Sequence, residues 1–170
     1  MLKSIGARYV VNSSSADFDT DLASAIATTE ATIAFDAVGG GRLVHRILSA
    51  MEFVGRRGTK GISHGSSTKK QVFLYGRLDR APLELDWNYG VNWSVGILVM
   101  TSILQQVGPC RATELRDRIT REVGTTFASH YTATIGLADM LDPQILSAIA
   151  KTETGKKYLL DPSRPAGLAG

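Results

Sequence analysis

Three consecutive glycines, Gly39 to Gly41, carry the clearest chemical signal in this chain. They follow the strand-like residues 32–36 and lead directly into an amphipathic stretch over residues 42–53. Glycine lets the backbone approach a ligand where a Cβ atom would collide, and open parallel sheets bind ligands beyond the carboxyl ends of their strands. The pattern therefore predicts a strand that ends in a ligand crevice, and the chemistry it favours is nucleotide binding.

The elements that must position this crevice alternate along the first half of the chain. Strands are predicted over residues 9–12, 32–36 and 72–76, and Gly6 is predicted to end a helical turn over residues 1–5. A helix capped by Asp17 is predicted between the first two strands, because Phe18, Leu22 and Ile26 fall on one helical face. This order, strand–helix–strand–helix–strand, predicts a parallel sheet with right-handed crossovers.

The second half of the chain has a different order of predicted strands and helices. A further buried strand is predicted over residues 93–100, followed by a long helical region centred on residues 111–123. The tail then reads as a short strand at 127–131, helices at 137–141 and 143–152, and a last strand at 155–161. Two short strands that bracket helices predict an appended unit rather than a continuation of the main sheet.

One segment concentrates positive charge. Residues 54–71 carry five cations and no acid, among several glycines and serines: Arg56, Arg57, Lys60, Lys69 and Lys70. A charged, glycine-rich loop of this kind usually lies in solvent. The alternative is that its cations add positive potential to a crevice that binds a phosphate-bearing cofactor.

Several other kinds of chemistry are disfavoured by the residues available. The net charge of +3 is spread along the chain, which does not favour nucleic acid, and no segment suggests a signal peptide or a membrane span. With a single cysteine, Cys110, no intrachain disulfide can form, so a reducing, cytoplasmic setting is expected. The three histidines and Cys110 lie in unrelated segments, so we expect no metal site. The histidines are expected to be structural or surface residues: His45 on a solvent-facing helix position, His64 in a loop and His130 in a short strand.

The aromatic residues Trp87, Tyr89 and Trp93 are expected to pack in a core or an interface rather than to stack on nucleic-acid bases. No Gly-x-Ser-x-Gly elbow occurs in the sequence, so a hydrolase nucleophile is not predicted.

Four motifs, in this order along the chain, resemble one known family. They are Ile-Gly-Ala-Arg-Tyr-Val-Val-Asn at 5–12, Phe-Asp-Ala-Val-Gly-Gly at 35–40, Tyr-Gly at 75–76 and Thr-Gly-Lys-Lys-Tyr-Leu-Leu at 154–160. Together they resemble the C-terminal portion of the medium-chain dehydrogenase/reductase superfamily, in its quinone oxidoreductase-like, zinc-independent branch. The resemblance implies an α/β fold. Residues 1–124 would form a partial dinucleotide-binding, Rossmann-like parallel sheet with flanking helices, and residues 125–170 a C-terminal segment of the catalytic, GroES-like domain.

The resemblance also implies NADPH or NADH as hydride carrier, no metal, and a small quinone or enal-type substrate. Three groups of residues match positions that line the cofactor cleft in that family. Asn12 and Ser13 would lie near the adenosine ribose; Ala37, Val38, Gly39 and Gly40 below the pyrophosphate and nicotinamide ribose; and Gly76, Arg77 and Leu78 near the nicotinamide. For each group, a tight turn required by the fold is an equally weighted alternative. No catalytic side chain is identified, since in hydride transfer the cofactor carries the reactive atom.

The chain departs from the family in one respect. It contains no Gly-x-Gly-x-x-Gly turn, which in such folds binds the pyrophosphate at a helix N-terminus. Two hypotheses remain open: a C-terminal fragment of an NAD(P)H-dependent oxidoreductase, or a catalytically silent, oligomerising remnant that binds no dinucleotide. We expect a homodimer formed through the apolar edge at residues 93–100. The alternative is a monomer in which the helix after Thr101 covers this strand.

Overall fold

The computed structural model describes residues 2–57, 63–151 and 156–164. The chain divides into two compact units, Met1–Ile103 and Leu104–Gly170. The predicted domain boundary between residues 124 and 125 remains a prediction, because compactness does not identify which domain of a larger protein a segment represents.

The first unit is built on a three-stranded parallel sheet. Its elements, in chain order, are a 3-10 turn Lys3–Ile5, α1 Phe18–Thr29, β1 Ile33–Asp36, α2 Leu43–Gly55, β2 Lys70–Leu74 and β3 Trp93–Ile97, after which α3 begins at Met100. The strand order is β1-β2-β3, and both pairings are parallel. The predicted α/β class with a Rossmann-like parallel sheet and flanking helices is confirmed.

The core lies between the two helices and one face of this sheet. The predicted stripe on α1 contributes Ile26, and α2 contributes Val44 and Leu48, which are fully buried against Val72 of β2. Burial of apolar side chains at helical spacing is what holds these helices on the sheet. The prediction that Gly6 ends the first helical turn is also confirmed, because Gly6 adopts the left-handed conformation there, at φ 96°.

Two strand predictions for this unit need correction. Residues 9–12 form no strand, because they pair with no other described residue, and an apolar run becomes a strand only when a neighbour supplies hydrogen bonds. The strand predicted at 93–100 ends at Ile97 and lies at the edge of the sheet, where Ile97 is largely exposed rather than buried.

The basic stretch is divided between exposed and buried residues. Lys60 lies outside the described residues, but Lys70 opens β2 and is completely buried. Its Nζ lies 2.8 Å from Glu52 Oε2 on α2, and it donates hydrogen bonds to Ser66 Oγ and to the Thr68 carbonyl. Lys70 is therefore neither a solvated loop residue nor a crevice cation, since its charge is neutralised inside the core.

Glu52 is the centre of this buried network. Its Oε1 accepts hydrogen bonds from Arg56 Nε at 2.6 Å and from the Ser66 backbone N–H at 2.7 Å. Its Oε2 accepts one from Ser66 Oγ at 2.5 Å. Burial by itself would raise the pKa of the Glu52 carboxyl, but the hydrogen bonds from Lys70, Ser66 and Arg56 outweigh it and lower that pKa to about 2.

The second unit contains a small sheet and short helices. Its elements are α3 from Leu104 onward (the whole of α3 spans Met100–Arg121 and is kinked at the non-helical Gly108), β4 Ala133–Ile135, a 3-10 helix Ala138–Leu141, α4 Pro143–Ala150 and β5 Tyr158–Leu160, with β4 and β5 parallel. The predicted appended unit of two strands bracketing helices is thus present. The strand predicted at 127–131 was wrong, because only 133–135 find a partner, and His130 therefore lies outside any strand. Thr152 and Gly155, at the ends of two predicted elements, lie outside the described residues.

Candidate functional site

A cleft of about 620 Å³ opens where the three parallel strands of the first unit end. It is large enough for part of a cofactor or for a small substrate. Its lining residues come from the loops after β1 and β2 and from the end of β3: Gly39, Leu74, Tyr75, Gly76, Arg77, Ala81, Pro82, Leu83, Ile97, Leu98, Val99 and Met100. A cleft therefore lies at the edge of the sheet where the sequence predicts a ligand crevice, and its binding of a ligand stays a prediction.

Asp36, the last residue of β1, shapes the loop that enters this cleft. Its side chain is buried, and its carboxylate oxygens accept hydrogen bonds from the backbone N–H groups of Val38 at 2.8 Å and Gly39 at 3.1 Å. The loop turns sharply at Gly39, whose φ of 73° is accessible to glycine at little cost. A buried aspartate at the strand end thus dictates the path of the glycine loop.

The loop after β1 also pairs with the loop after β2. The N–H of Asp79 donates to the Val38 carbonyl at 2.9 Å, and the N–H of Leu78 donates to the Ala37 carbonyl at 3.4 Å. Further along, the N–H of Gly41 donates to the Pro82 carbonyl at 3.1 Å. The two loops are consequently held together by backbone hydrogen bonds and form one wall.

This pairing explains the glycines in physical terms. A Cβ atom on Gly39 would overlap the Gly76 carbonyl oxygen, and one on Gly76 would overlap the Ala37 carbonyl oxygen. A Cβ on Gly40 would lie 2.7 Å from the Asp79 carbonyl oxygen. The space beside each glycine is therefore filled by backbone of the neighbouring loop, so close loop packing is enough to require all three.

The predicted site residues fall into three places. Gly39, Gly76 and Arg77 line the cleft, while Ala37, Val38 and Gly40 lie in the paired loops and Leu78 continues the second loop. Asn12 and Ser13 do not line it. They belong to a turn in which Asn12 Oδ1 accepts a hydrogen bond from the Ser14 N–H at 3.1 Å. A role for these two residues at an adenosine ribose stays a prediction.

Sequence reasoning missed the apolar half of the cleft. Ile97 at the end of β3 and Val99 and Met100 just after it line the cleft, although residues 93–100 were interpreted only as an association edge. The order of the strands could have predicted this wall. Because β3 is parallel to β1 and β2, its carboxyl end must lie at the same edge of the sheet.

The cleft combines apolar walls with a few polar groups. The backbone N–H groups of Gly76 and Arg77 make no hydrogen bond to any described residue, and the exposed Arg77 guanidinium has no ion-pair partner within the described part of the chain. The arrangement suits binding of a flat, partly polar ring beside a cation.

The histidines and tryptophans lie elsewhere. His45 does not simply face solvent as predicted, because its Nδ1 lies 2.7 Å from the hydroxyl of the buried Tyr89. Tyr89 packs edge-on against Trp93 with ring centroids 5.0 Å apart, as expected for core packing, whereas Trp87 is 87% exposed. Burial raises the pKa of the Tyr89 phenol, so the phenol stays protonated at neutral pH.

The described residues include no group of three His, Cys, Asp or Glu side chains that could hold a metal ion. Among the same residues, no helix is long and apolar enough to cross a membrane.

The chain is similar to a crystal structure of a Mesorhizobium loti protein that is provisionally assigned as an NADPH:quinone reductase. The TM-score is 0.66 at 21% identity, over 95% of this chain and 42% of that protein. The likeness shows the fold. The resemblance stated from sequence is thus confirmed in architecture, and this chain spans less than half the length of the protein it matches. No protein-family model matches the chain, and no curated protein is significantly similar to it.

Proposed function

We propose that this chain is a C-terminal fragment of an NAD(P)H-dependent oxidoreductase that reduces quinones, enals or similar electron-poor small molecules. The observation that carries the proposal is the cleft at the carboxyl ends of three parallel strands, where α/β proteins bind their cofactors. The likeness in fold to the M. loti protein supports it, and the name of that protein favours NADPH over NADH.

The cleft can hold the nicotinamide end of such a cofactor. In this proposal the N–H groups of Gly76 and Arg77, which line the cleft, bind a carboxamide oxygen, and the Arg77 guanidinium binds a phosphate. Ile97, Val99 and Met100 supply the apolar wall against which a ring packs. The bound dinucleotide supplies the hydride, so the protein's task is to orient the ring and keep water away.

The remaining assignments belong to the same proposal. Residues 1–124 represent the later part of a dinucleotide-binding domain, and residues 125–170 a segment of the catalytic domain. We further propose a cytoplasmic homodimer with no metal, nucleic-acid or membrane partner.

A silent, oligomerising remnant is the second candidate. It is favoured by one observation, that the 170 residues contain no Gly-x-Gly-x-x-Gly turn to anchor a pyrophosphate. Both candidates predict that this polypeptide alone binds NADPH weakly or not at all, so a second protein is needed to separate them.

The deciding experiment is NADPH titration by calorimetry on two proteins. One is this chain, and the other is a chimera in which the chain replaces the matched part of the M. loti protein. The reductase proposal predicts that the chimera binds, that Arg77→Ala weakens binding about tenfold, and that Arg80→Ala, an exposed arginine outside the cleft, does not. A folded chimera that binds no NADPH would favour the silent remnant, and submicromolar binding by the chain alone would contradict both.

A further inference from the structure

A second concavity lies on the first unit, in the groove between α1 and α2. Its volume is about 510 Å³, which is within the range of small-molecule sites. Short side chains line much of it: Ala23 and Ser24 on α1, and Ser49 and Ala50 on α2. It shares no lining residue with the cleft at the strand ends. This α1/α2 groove is therefore a separate candidate site.

Helical spacing places two arginines and a phenylalanine along the same groove. Arg46, Phe53 and Arg57 recur at intervals of seven and four residues, so they lie along one side of α2. The helix ends at Gly55, but the N–H of Arg57 donates to the Val54 carbonyl at 3.0 Å, so the chain continues to turn through Arg57. At 1.5 Å per residue, the stripe from Arg46 to Arg57 is about 16 Å long. The groove can therefore accommodate a molecule of two linked rings.

Phe53 is an aromatic residue that the core does not use. It is not among the buried residues of α2, and its side chain is 58% exposed. The central carbon of the Arg57 guanidinium lies 5.1 Å from the centroid of the Phe53 ring, which is a cation–π contact. This contact holds a positive charge beside an exposed apolar ring.

The charges at the two ends of the groove differ. At one end, Arg46 Nε donates a hydrogen bond to Asp19 Oδ1 at 2.6 Å, and this bond lowers the pKa of the Asp19 carboxyl. Asp19 is therefore ionised at neutral pH and neutralises Arg46. At the other end, no described carboxylate lies within 4 Å of the Arg57 guanidinium. Arg57, which belongs to the basic stretch at residues 54–71, thus gives the groove one uncompensated positive charge.

We propose that the α1/α2 groove binds a small aromatic carboxylate. The rings of the ligand pack on Phe53 and on the short side chains, and its carboxylate accepts hydrogen bonds from the Arg57 guanidinium. One uncompensated cation matches a monoanion. Arg57 also lies at the carboxyl end of α2, where the helix dipole opposes a second negative charge. The inference does not rest on the proposed function, because the cofactor cleft takes no part in it.

The test is titration of the 170-residue chain with biphenyl-4-carboxylate, followed by two-dimensional NMR of the backbone amides and by calorimetry. Saturable shifts are expected at Ala23, Ser24 and Ala50, with a dissociation constant on the order of 0.5 mM for a ligand of this size. Biphenyl-4-carboxamide has nearly the same shape but no charge. It is expected to bind about fivefold more weakly, because the charge-assisted pair with Arg57 is lost.

Two substitutions separate the charge from the apolar wall. Arg57→Ala is expected to weaken binding of the carboxylate about fivefold and to change that of the carboxamide little, whereas Phe53→Ala should weaken both. Arg80→Ala removes an exposed arginine outside the groove, so it is the matched control and should change neither. Because Phe53 and Arg57 are exposed, both variants are expected to keep the far-ultraviolet circular dichroism of the unsubstituted chain.

Any of four results would overturn the proposal. The first is the absence of saturable shifts at the groove up to about 10 mM carboxylate, well above the expected dissociation constant. The second is that the shifts are confined to other exposed apolar residues, such as Phe35 or Ile97. The third is equal binding of the carboxylate and the carboxamide, and the fourth is that Arg57→Ala weakens binding no more than Arg80→Ala does. The first three need no variant, so the proposal stays testable even if a substituted chain fails to fold.

Discussion

Replacing Glu52 by glutamine is predicted to cost a large part of the stability of the first unit. The substitution keeps the shape of the side chain but removes the only negative charge within 4 Å of Lys70 among the described residues. The Lys70 side chain is 0% exposed and that of Glu52 4%, so water cannot replace the lost partner. Removing one member of a buried ion pair leaves an uncompensated charge in the core.

The magnitude follows from the pKa of Glu52. That pKa falls from 4.5 to about 2 on folding, and each unit corresponds to about 1.4 kcal/mol, so the ionised carboxylate contributes about 3 kcal/mol at neutral pH. Because the folded-state pKa is the lower one, this stabilisation is complete above about pH 5 and is lost as the pH falls toward 2. At pH 3 less than half of it should remain.

Urea unfolding at pH 7 and at pH 3, followed by circular dichroism, measures both effects. Glu52→Gln is expected to lower the free energy of unfolding by about 3 kcal/mol at pH 7 and by less than half as much at pH 3. Glu84→Gln is the control, because Glu84 lies in the same unit and pairs with Arg42 at 3.9 Å on the surface, where such pairs are worth under about 1 kcal/mol. The argument for a stabilising buried network would be refuted by either of two results. One is that Glu52→Gln lowers the free energy of unfolding no more than Glu84→Gln does, and the other is that its effect on this free energy does not change with pH.

Three further predictions concern the glycine loop, association and metal. Gly39→Ala should destabilise the chain by at least about 2 kcal/mol, since it combines a positive φ with overlap of the Gly76 carbonyl, whereas Gly6→Ala, with a positive φ but open space, should cost about 1 kcal/mol in the same urea titration. Light scattering during size-exclusion chromatography should give about twice the 18.3 kDa chain mass, and Ile97→Lys with Val99→Lys should return it to one chain; a monomer at all concentrations would exclude the β3 interface. Elemental analysis of the purified protein should find no stoichiometric zinc, and one tightly held zinc per chain would overturn the zinc-independent assignment.

The behaviour of the glycines limits how the cofactor site can be tested. Because Gly39 and Gly76 each face the backbone of the other loop, bulky substitutions there would disrupt the fold before they crowded a ligand. Arg77 is the better probe, since its side chain is exposed in the cleft and has no ion-pair partner among the described residues.

Local patterns in the sequence determined most of the first unit. The spacing of Phe18, Leu22 and Ile26 predicts α1, and the apolar run before Asp36 followed by three glycines predicts both β1 and the crevice beyond it. These predictions succeeded because helical periodicity and glycine's backbone freedom act over a few neighbouring residues.

Tertiary structure alone decided the features that depend on a distant partner. Residues 9–12 have the composition of a strand but form no strand pair with any described residue, and 133–135 became a strand because Tyr158–Leu160 lie beside them. Lys70 looked like a loop cation until Glu52, eighteen positions earlier, was placed next to it in the core. Strand pairing, charge burial and the packing of one glycine loop on another all depend on which segments meet in space, and a single sequence records that only indirectly.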